Sequence, residues 1–188
     1  MMKASEKTNS IYAQLRRYVD ESVQKNNYVG GRYLHSIVQK IELNNQKLTF
    51  VISPARIRDE NGDEKYYHQT PDMKFLEEAL FRLTKENPNF ESEKNTLYCS
   101  LSEIINELNL LNSPCELKNP RNLQQNIRIL ADIKFELKNN ESGAELCFRA
   151  IEKLGFQEEN EEIYYQMRFS PLFINKTEIF HFIFPSKI

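Results

Sequence analysis

The 188-residue chain contains no tryptophan and only five glycines. It therefore offers no Gly-rich loop of the kind that cradles a nucleotide phosphate. Its longest apolar run falls far short of the roughly 18 residues that a membrane-spanning helix needs. The first residues are polar and lack the apolar centre of a signal peptide. We therefore expect a cytoplasmic protein that does not contact a membrane.

Cysteine and histidine are also scarce and scattered. The three cysteines, Cys99, Cys115 and Cys147, form no C-x-x-C pair, and the three histidines stand far apart in the sequence. This spacing argues against a disulfide scaffold and against a zinc site, so we expect reduced thiols, no metal and no cofactor. The sequence contains no G-x-S-x-G, H-E-x-x-H or Walker motif. We therefore expect no enzymatic activity.

Positive charge is concentrated in the first third of the chain. Residues 1–58 hold ten lysines and arginines against four acidic residues, whereas residues 59–188 hold 15 basic against 23 acidic residues. This asymmetry predicts one polarised surface. The alternative is that the count reflects unrelated, solvated surfaces.

The first 70 residues predict one helix followed by small β-hairpins. Apolar residues from Ile11 to Val23 recur with a period of 3.6 residues, which indicates an amphipathic helix over 10–24. Asn44-Asn45 and Asn61-Gly62 are turn dipeptides, and each stands between two β-rich runs. We therefore expect an N-terminal helix and a small antiparallel β-meander.

Residues 71–170 begin with a helix, a short strand and a second helix. Thr70 precedes Pro71, which predicts a capped helix over 71–86. We expect the adjacent Glu77 and Glu78 of this helix to belong to its solvated surface. A β-like run over 96–99 leads to Ser100 and Glu103, which have the spacing of a capping box for the second helix.

A third helix and several strands complete this part. Asn119-Pro120 predicts a third helix that ends near Ala131. The hydrophobic period then changes to two, which predicts strands over 133–137, 146–151 and 163–169. The element order of a winged helix is helix, strand, two helices and a hairpin, and this chain has the same predicted order. We therefore expect an α+β fold built on that module.

The outward surface of the third helix carries side chains that can read DNA. An arginine presents a bidentate fork to guanine, and asparagine or glutamine pairs in two ways with adenine. The predicted base contacts are Arg121, Asn122, Gln124, Gln125 and Arg128. The predicted phosphate contacts are Lys118, Arg16, Arg17, Arg32, Arg56 and Arg58. The alternative is an ordinary hydrophilic helix surface.

Two loops are candidates for the wing. Residues 158–162 include four carboxylates, which would repel a phosphate backbone, so we expect this loop to lie away from DNA. The wing is then assigned to residues 139–143, with Lys138 as the basic residue beside it. With so little positive charge, this wing would contact DNA weakly.

About half of the chain resembles bacterial plasmid replication initiators of the RepA-like, winged-helix type. The resemblance begins at Tyr66 and Tyr67. It is carried by residues 67–71, Glu77-Glu78-Ala79-Leu80, Ser100-Leu101-Ser102-Glu103-Ile104, the run from Asn122 to Leu130, and Arg168-Phe169-Ser170-Pro171-Leu172. These motifs are short and concern structure more than chemistry.

The resemblance implies a protein that binds repeated sites at a replication origin, opens the duplex with host replication proteins and represses its own gene. Such initiators have a second winged-helix half. Residues 1–70, with the basic helix and the meander, are then interpreted as a reduced form of that half, and residues 71–188 as the winged-helix DNA-binding module. A second copy of the chain is a further candidate partner.

The sequence thus leads to two hypotheses. The first is a sequence-specific protein that binds double-stranded DNA, of the replication-initiator type. The second is a protein-interaction module that has the winged-helix fold but does not bind DNA. Two features favour it: residues 59–188 are acidic, and the aromatic segment 180–184 could add a strand to a partner.

Overall fold

The computed structural model describes residues 17–18, 28–29, 32–33, 36–43, 46–58 and 61–174. The strands in this part are β1 (Tyr28–Val29), β2 (Arg32–Tyr33), β3 (Ile37–Leu43), β4 (Gln46–Ser53), β5 (Ala55–Arg58), β6 (Glu64–Tyr67), β7 (Phe90–Glu91), β8 (Thr96–Ser100), β9 (Lys134–Asn139), β10 (Glu145–Phe148), β11 (Ile151–Glu159) and β12 (Glu162–Phe169). The helices are α1 (Met73–Glu86), α2 (Leu101–Leu110), α3 (Cys115–Lys118), α4 (Pro120–Asp132) and α5 (Pro171–Ile174). The described part is therefore a mixed α+β fold, and its sheets are antiparallel.

Two of the predicted helix starts are confirmed by their caps. The Ser100 hydroxyl accepts a hydrogen bond from the Glu103 backbone, and the Glu103 carboxylate accepts one from the Ser100 backbone. The Asn119 side chain accepts from the backbone N–H groups of Arg121 and Asn122 at the start of α4. These bonds satisfy amides that have no partner within the first turn of a helix.

The start of α1 differs from the prediction. The helix begins at Met73 rather than at Pro71, and no side chain caps it. A backbone turn leads into it instead, because the N–H of Met73 donates to the carbonyl of Thr70 at 3.0 Å. Thr70 therefore contributes its carbonyl and not its hydroxyl to this helix end.

The two predicted hairpins in the first 70 residues are confirmed, but they do not form a meander. Strands β3 and β4 pair with each other, as do β5 and β6, yet β4 takes β9 as its second neighbour. The order in that sheet is β10-β9-β4-β3. Pairing of β4 with β9 joins residues on both sides of position 70, so the sheet is shared by the two predicted units.

The hairpin that contains the predicted wing at residues 139–143 belongs to this same sheet and not to the sheet that contains β8. Phe50 of β4 stacks on Phe135 of β9 with ring centroids 5.9 Å apart, and Phe135 also packs against Phe148 of β10. Burying these rings places the β9–β10 hairpin beside β4. The hairpin that pairs with β8 is β11–β12, in a second sheet of order β11-β12-β8-β7.

The sheets and helices bury one continuous hydrophobic cluster. Leu48, Phe50 and Ile52 of β4 contribute to it, because alternate side chains of a strand share one face. Apolar residues that recur at the helical period are also buried, with Met73, Leu76, Ala79, Leu80 and Leu83 from α1 and Leu123, Ile127 and Leu130 from α4. The helical period therefore identified the buried side of each helix correctly.

Glu77 is buried, at 5% exposure, which contradicts its prediction as a solvated residue. Its carboxylate forms a buried salt bridge with Arg17 and accepts hydrogen bonds from Tyr18 Oη at 2.9 Å and from Gln69 Nε2 at 2.8 Å. Burial raises the pKa of Tyr18 above its ordinary range, and the neighbouring Glu77 charge acts in the same direction. The helical pattern around Glu77 did not reveal it because its partner Arg17 is 60 residues away.

Two predicted elements involve residues outside the described part. Of the predicted helix over 10–24, only Arg17 and Tyr18 are described, and the aromatic segment 180–184 is not described. Within the described ranges, no helix combines the length and apolar character needed to cross a membrane.

Removing Arg17 should destabilise the protein because the Glu77 carboxylate would stay buried without a cation. We expect Arg17→Met to lower the free energy of unfolding in urea by about 3–5 kcal/mol. Glu77→Gln should destabilise the wild-type chain but stabilise the Arg17→Met chain, since there it removes the unpaired charge. Equal effects of Glu77→Gln in both backgrounds would show that the two side chains are not coupled.

His68 should make stability depend on pH in mildly acid solution. It is 2% exposed, and burial lowers its pKa from 6.5 to about 4. Between these values the unfolded chain takes up a proton that the folded chain does not, so folding loses up to about 1.4 kcal/mol per pH unit as the pH falls. His68→Gln lacks this group, so its free energy of unfolding should fall less over this pH range, by up to about 1.4 kcal/mol per pH unit. Parallel stability curves for the two proteins between pH 6.5 and 4 would contradict the assignment.

Candidate nucleic-acid interface

Helix α4 packs against two hairpins. It contacts β5 of the β5–β6 hairpin and β11 of the β11–β12 hairpin. The backbone N–H of Arg56 in β5 donates to Asp132 Oδ2 at the last residue of α4, at 2.6 Å. This bond fixes the first hairpin to the C-terminal end of the helix.

A cleft of about 430 Å³ separates α4 from the β5–β6 hairpin. Its lining is polar and basic on both walls, and the hairpin wall also includes Ile57 and Tyr67. The helix contributes Arg121, Gln124, Gln125 and Arg128, and the hairpin contributes Ile57, Arg58, Asn61, Lys65 and Tyr67. None of these described lining residues is acidic, so the cleft suits an anionic ligand.

The structure brings four of the five predicted base contacts together in this cleft. Arg121 and Arg128 are exposed, whereas Gln124 and Gln125 are half-buried because the hairpin covers part of the helix surface. Asn122 is exposed but does not line the cleft, and its Nδ2 donates to the carbonyl of Glu116 at 3.1 Å. Its side chain therefore helps to link α3 to α4.

The predicted phosphate contacts are dispersed. Arg58 lines the cleft, and its side chain is 76% exposed and pairs with Glu64 at 3.4 Å. Arg56 belongs to the opposite face of the hairpin, where its guanidinium lies 5.5 Å from the Tyr66 ring centroid. Lys118 is half-buried at the end of α3, Arg32 lies in β2, and Arg16 is outside the described residues.

Arg17 is the one predicted phosphate contact that the structure contradicts. It is 6% exposed, and its guanidinium is occupied by the Glu77 carboxylate. A buried arginine in this pairing cannot reach a DNA backbone. The basic composition of the first third led to its selection, and composition does not distinguish a surface cation from a buried one.

Sequence analysis missed two residues at this surface. Lys65 lies across the hairpin from Ile57 and reaches the cleft. Phe156 of β11 is 63% exposed, and the Arg128 guanidinium lies 5.7 Å from its ring centroid. The hairpin signal at Asn61-Gly62 placed Lys65 on a strand, but only packing against α4 brings it beside Arg121 and Arg128.

The acidic residues 158–162 form the tip of the β11–β12 hairpin. Asn160 and Glu161 make the turn with positive φ values of 51° and 64°. Glu162 accepts hydrogen bonds from the backbone and the hydroxyl of Ser102 at the start of α2, and these bonds lower its pKa. The hairpin that extends the β8 sheet therefore carries the four carboxylates.

Other reactive side chains are not gathered into a site in the described ranges. Burial, reinforced by the Glu103 charge, raises the pKa of the Cys99 thiol to about 12, while Cys115 and Cys147 are exposed. Among the residues that the structure describes, no group of three or more His, Cys, Asp or Glu side chains could hold a metal ion.

The fold and the cleft define an α+β protein with a basic surface suited to an anionic ligand. No protein-family model and no curated protein sequence matches the chain. Among solved structures, the fold is similar to domains 2 and 3 of RctB. A selenomethionine derivative of these domains aligns with a TM-score of 0.55 and covers 81% of this chain and 59% of that chain. A second structure, RctB-155-483, aligns with a TM-score of 0.51 and covers 81% and 57%.

Sequence identity to both RctB structures is 15%. At this level the similarity concerns the fold. The chain spans less than three fifths of the RctB chain in each comparison. It therefore corresponds to a part of the two-domain RctB fragment.

The Asn119 cap should contribute to the stability of the helix that carries the cleft. We expect Asn119→Ala to lower the free energy of unfolding by about 1 kcal/mol, because two amides at the start of α4 lose their acceptor. Asn119→Asp keeps the acceptor and should stay near the wild-type value. Chemical unfolding measures the stability of both variants. If Asn119→Ala were as stable as Asn119→Asp, the cap would make no contribution to the free energy of unfolding.

Proposed function

We propose that the protein binds double-stranded DNA in a sequence-specific manner and acts as a replication initiator, with α4 as the reading helix. The observation that carries this proposal is the cleft in which Arg121 and Arg128 of α4 lie opposite Arg58 and Lys65, with no acidic residue among the described lining residues. The sequence resemblance to plasmid replication initiators and the similarity in fold to RctB domains support it.

The arrangement of elements supports assignment of the winged-helix class. Helix α1, strand β8, helices α2 and α4, and the hairpin β11–β12 follow in the order of that class, and β8 pairs with β12. In this assignment α2 and α4 form the helix-turn-helix unit, with α3 in the connection. The β9–β10 hairpin is an insertion that belongs to the other sheet.

DNA recognition would then depend on side chains rather than on covalent chemistry. Arg121 and Arg128 can each present a fork to guanine, and Gln124 and Gln125 can each pair with adenine. The aromatic ring of Phe156 beside Arg128 limits the directions in which that guanidinium can extend. In the proposed role, the protein binds repeated origin sites, helps host replication proteins to open the duplex and represses its own gene, without a cofactor.

Selection of bound sites from a random duplex library tests this function directly. We expect the full chain to enrich one sequence, and each of Arg121→Ala and Arg128→Ala to relax preference at single positions. A lost bidentate contact should reduce discrimination at that position by about 5- to 150-fold. Arg149→Ala, at an exposed arginine between β10 and β11, is the matched control and should leave the preference unchanged.

Absence of duplex binding at an ionic strength of about 50 mM would overturn the proposal, because electrostatic binding is strong at low salt. Binding without any enriched sequence would refute the sequence-specific reading role of α4.

A further inference from the structure

The two hairpins that contact α4 differ in the charge that they place at the cleft. Both tips carry carboxylates: Glu158, Glu159, Glu161 and Glu162 lie at the tip of β11–β12, and acidic residues also flank Asn61-Gly62. The β5–β6 hairpin nevertheless contributes Arg58 and Lys65 to the cleft, and no acidic residue is among the described lining residues. A phosphate backbone is repelled by the tips and attracted by the cleft, so DNA that contacts α4 is directed to the cleft.

We propose that the β5–β6 hairpin holds the DNA backbone beside α4, with Lys65 and Arg58 contacting phosphates. It takes the role that the hairpin after the reading helix has in a winged helix. This inference rests on the proposed DNA-binding function and adds the element and the residues that position the duplex.

The register of the hairpin determines which of its side chains reach the cleft. Lys65 is paired with Ile57, and Tyr67 with Ala55. Side chains of directly paired residues share one face of a hairpin, so Ile57, Lys65 and Tyr67 lie on the α4 side. Arg56 and Tyr66 belong to the other face, and the alternation assigns the Arg58–Glu64 pair to that face as well. Lys65 is therefore the strand-centre cation directed to the helix, whereas Arg58 lines the cleft from the last position of β5.

Both strands of the hairpin are attached at its open end. Arg56 donates its backbone N–H to Asp132 of α4, and Gln69, two residues after β6, donates to the buried Glu77. A preorganised cation binds a phosphate with less loss of conformational entropy than a mobile one. The two bonds position the open end of the hairpin, from which β5 and β6 lead to Arg58 and Lys65, before DNA arrives.

The half-burial of Gln124 and Gln125 limits the path of a nucleic acid. The hairpin covers part of the α4 surface, so a ligand reaches these amides through the open side of the cleft. That path runs between the cations of the hairpin and those of the helix. A backbone phosphate is the part of DNA that has the complementary charge.

Glu64 is expected to oppose this binding. It is the cross-strand partner of Arg58 and pairs with it at 3.4 Å, in an exposed position. The pair must loosen before the Arg58 guanidinium contacts a phosphate. Neutralising Glu64 should therefore strengthen DNA binding, in contrast to most substitutions at an interface.

The β9–β10 hairpin provides matched controls for both residues. Lys138 and Glu145 form a cross-strand pair there at 2.6 Å, with both side chains about half exposed. Lys138→Gln and Glu145→Gln thus make the same charge changes as Lys65→Gln and Glu64→Gln on a hairpin that does not line the cleft. Any effect of net charge alone appears equally in the two hairpins.

The experiment measures affinity of the full chain for its selected duplex as a function of salt concentration. We expect Lys65→Gln to reduce the slope of log affinity against log salt by about 0.9 and to weaken all sequences alike. Glu64→Gln should tighten binding by about 1.5- to 5-fold. Lys138→Gln should leave the slope unchanged, and Glu145→Gln should tighten binding less than Glu64→Gln.

The outcomes separate this inference from the proposed function. If the wild-type chain binds no duplex, the DNA-binding function itself fails. If it binds but Lys65→Gln and Lys138→Gln behave alike, the hairpin does not hold the backbone and the inference is overturned. A change of sequence preference in Lys65→Gln would also overturn it, because a phosphate contact carries no base information.

Thermal unfolding and circular dichroism identify variants that fail to fold. Lys65→Arg keeps the charge and should retain the wild-type slope.

Discussion

The buried carboxylate of Glu77 is the constraint on which the arrangement of the molecule depends. A charge at this depth requires a cation and hydrogen-bond donors, and the chain supplies them from Arg17, Tyr18 and Gln69. Arg17 and Tyr18 lie far from Glu77 in sequence, whereas Gln69 lies close to it. One side chain of α1 therefore attaches both an N-terminal segment and the connection that leaves β6.

This attachment has a direct consequence for the cleft. Gln69 follows β6 by two residues, so the bond to Glu77 anchors β6 at the open end of the β5–β6 hairpin, and the bond from Arg56 to Asp132 anchors β5 at the same end. The hairpin is thereby held along α4 at a separation that leaves a cleft of about 430 Å³. Fold stability and the geometry of the candidate interface depend on the same few polar contacts.

The distribution of charge can be interpreted only with this tertiary arrangement. A basic first third and an acidic remainder describe the chain as a whole, but the relevant contrast lies between the cleft and the hairpin tips. Arg58 and Lys65 line the cleft with Arg121 and Arg128, while the carboxylates of residues 158–162 occupy the tip of the β11–β12 hairpin. Arg17, which contributes to the basic count, is neutralised in the interior.

The sequence by itself determined the local structure, because local structure depends on neighbours within a few residues. The caps at Ser100 and Asn119, the hairpins β3–β4 and β5–β6, and the buried stripes of α1 and α4 follow from side-chain chemistry and hydrophobic period. The polar surface of α4 was identified in the same way, and four of its five predicted base contacts line one cleft.

Only the tertiary structure decided which strands pair and which charges are buried. The period of two predicted three strands where the structure has β9, β10, β11 and β12, and it does not identify the partner of a strand. The sequence therefore could not assign β9 to β4 or β12 to β8. Likewise, the helical pattern of α1 could not indicate that Glu77 is buried, since its cation comes from 60 residues away. The sequence also could not predict that Lys65 lies opposite Arg121 and Arg128, because this position results from the packing of a hairpin on a helix.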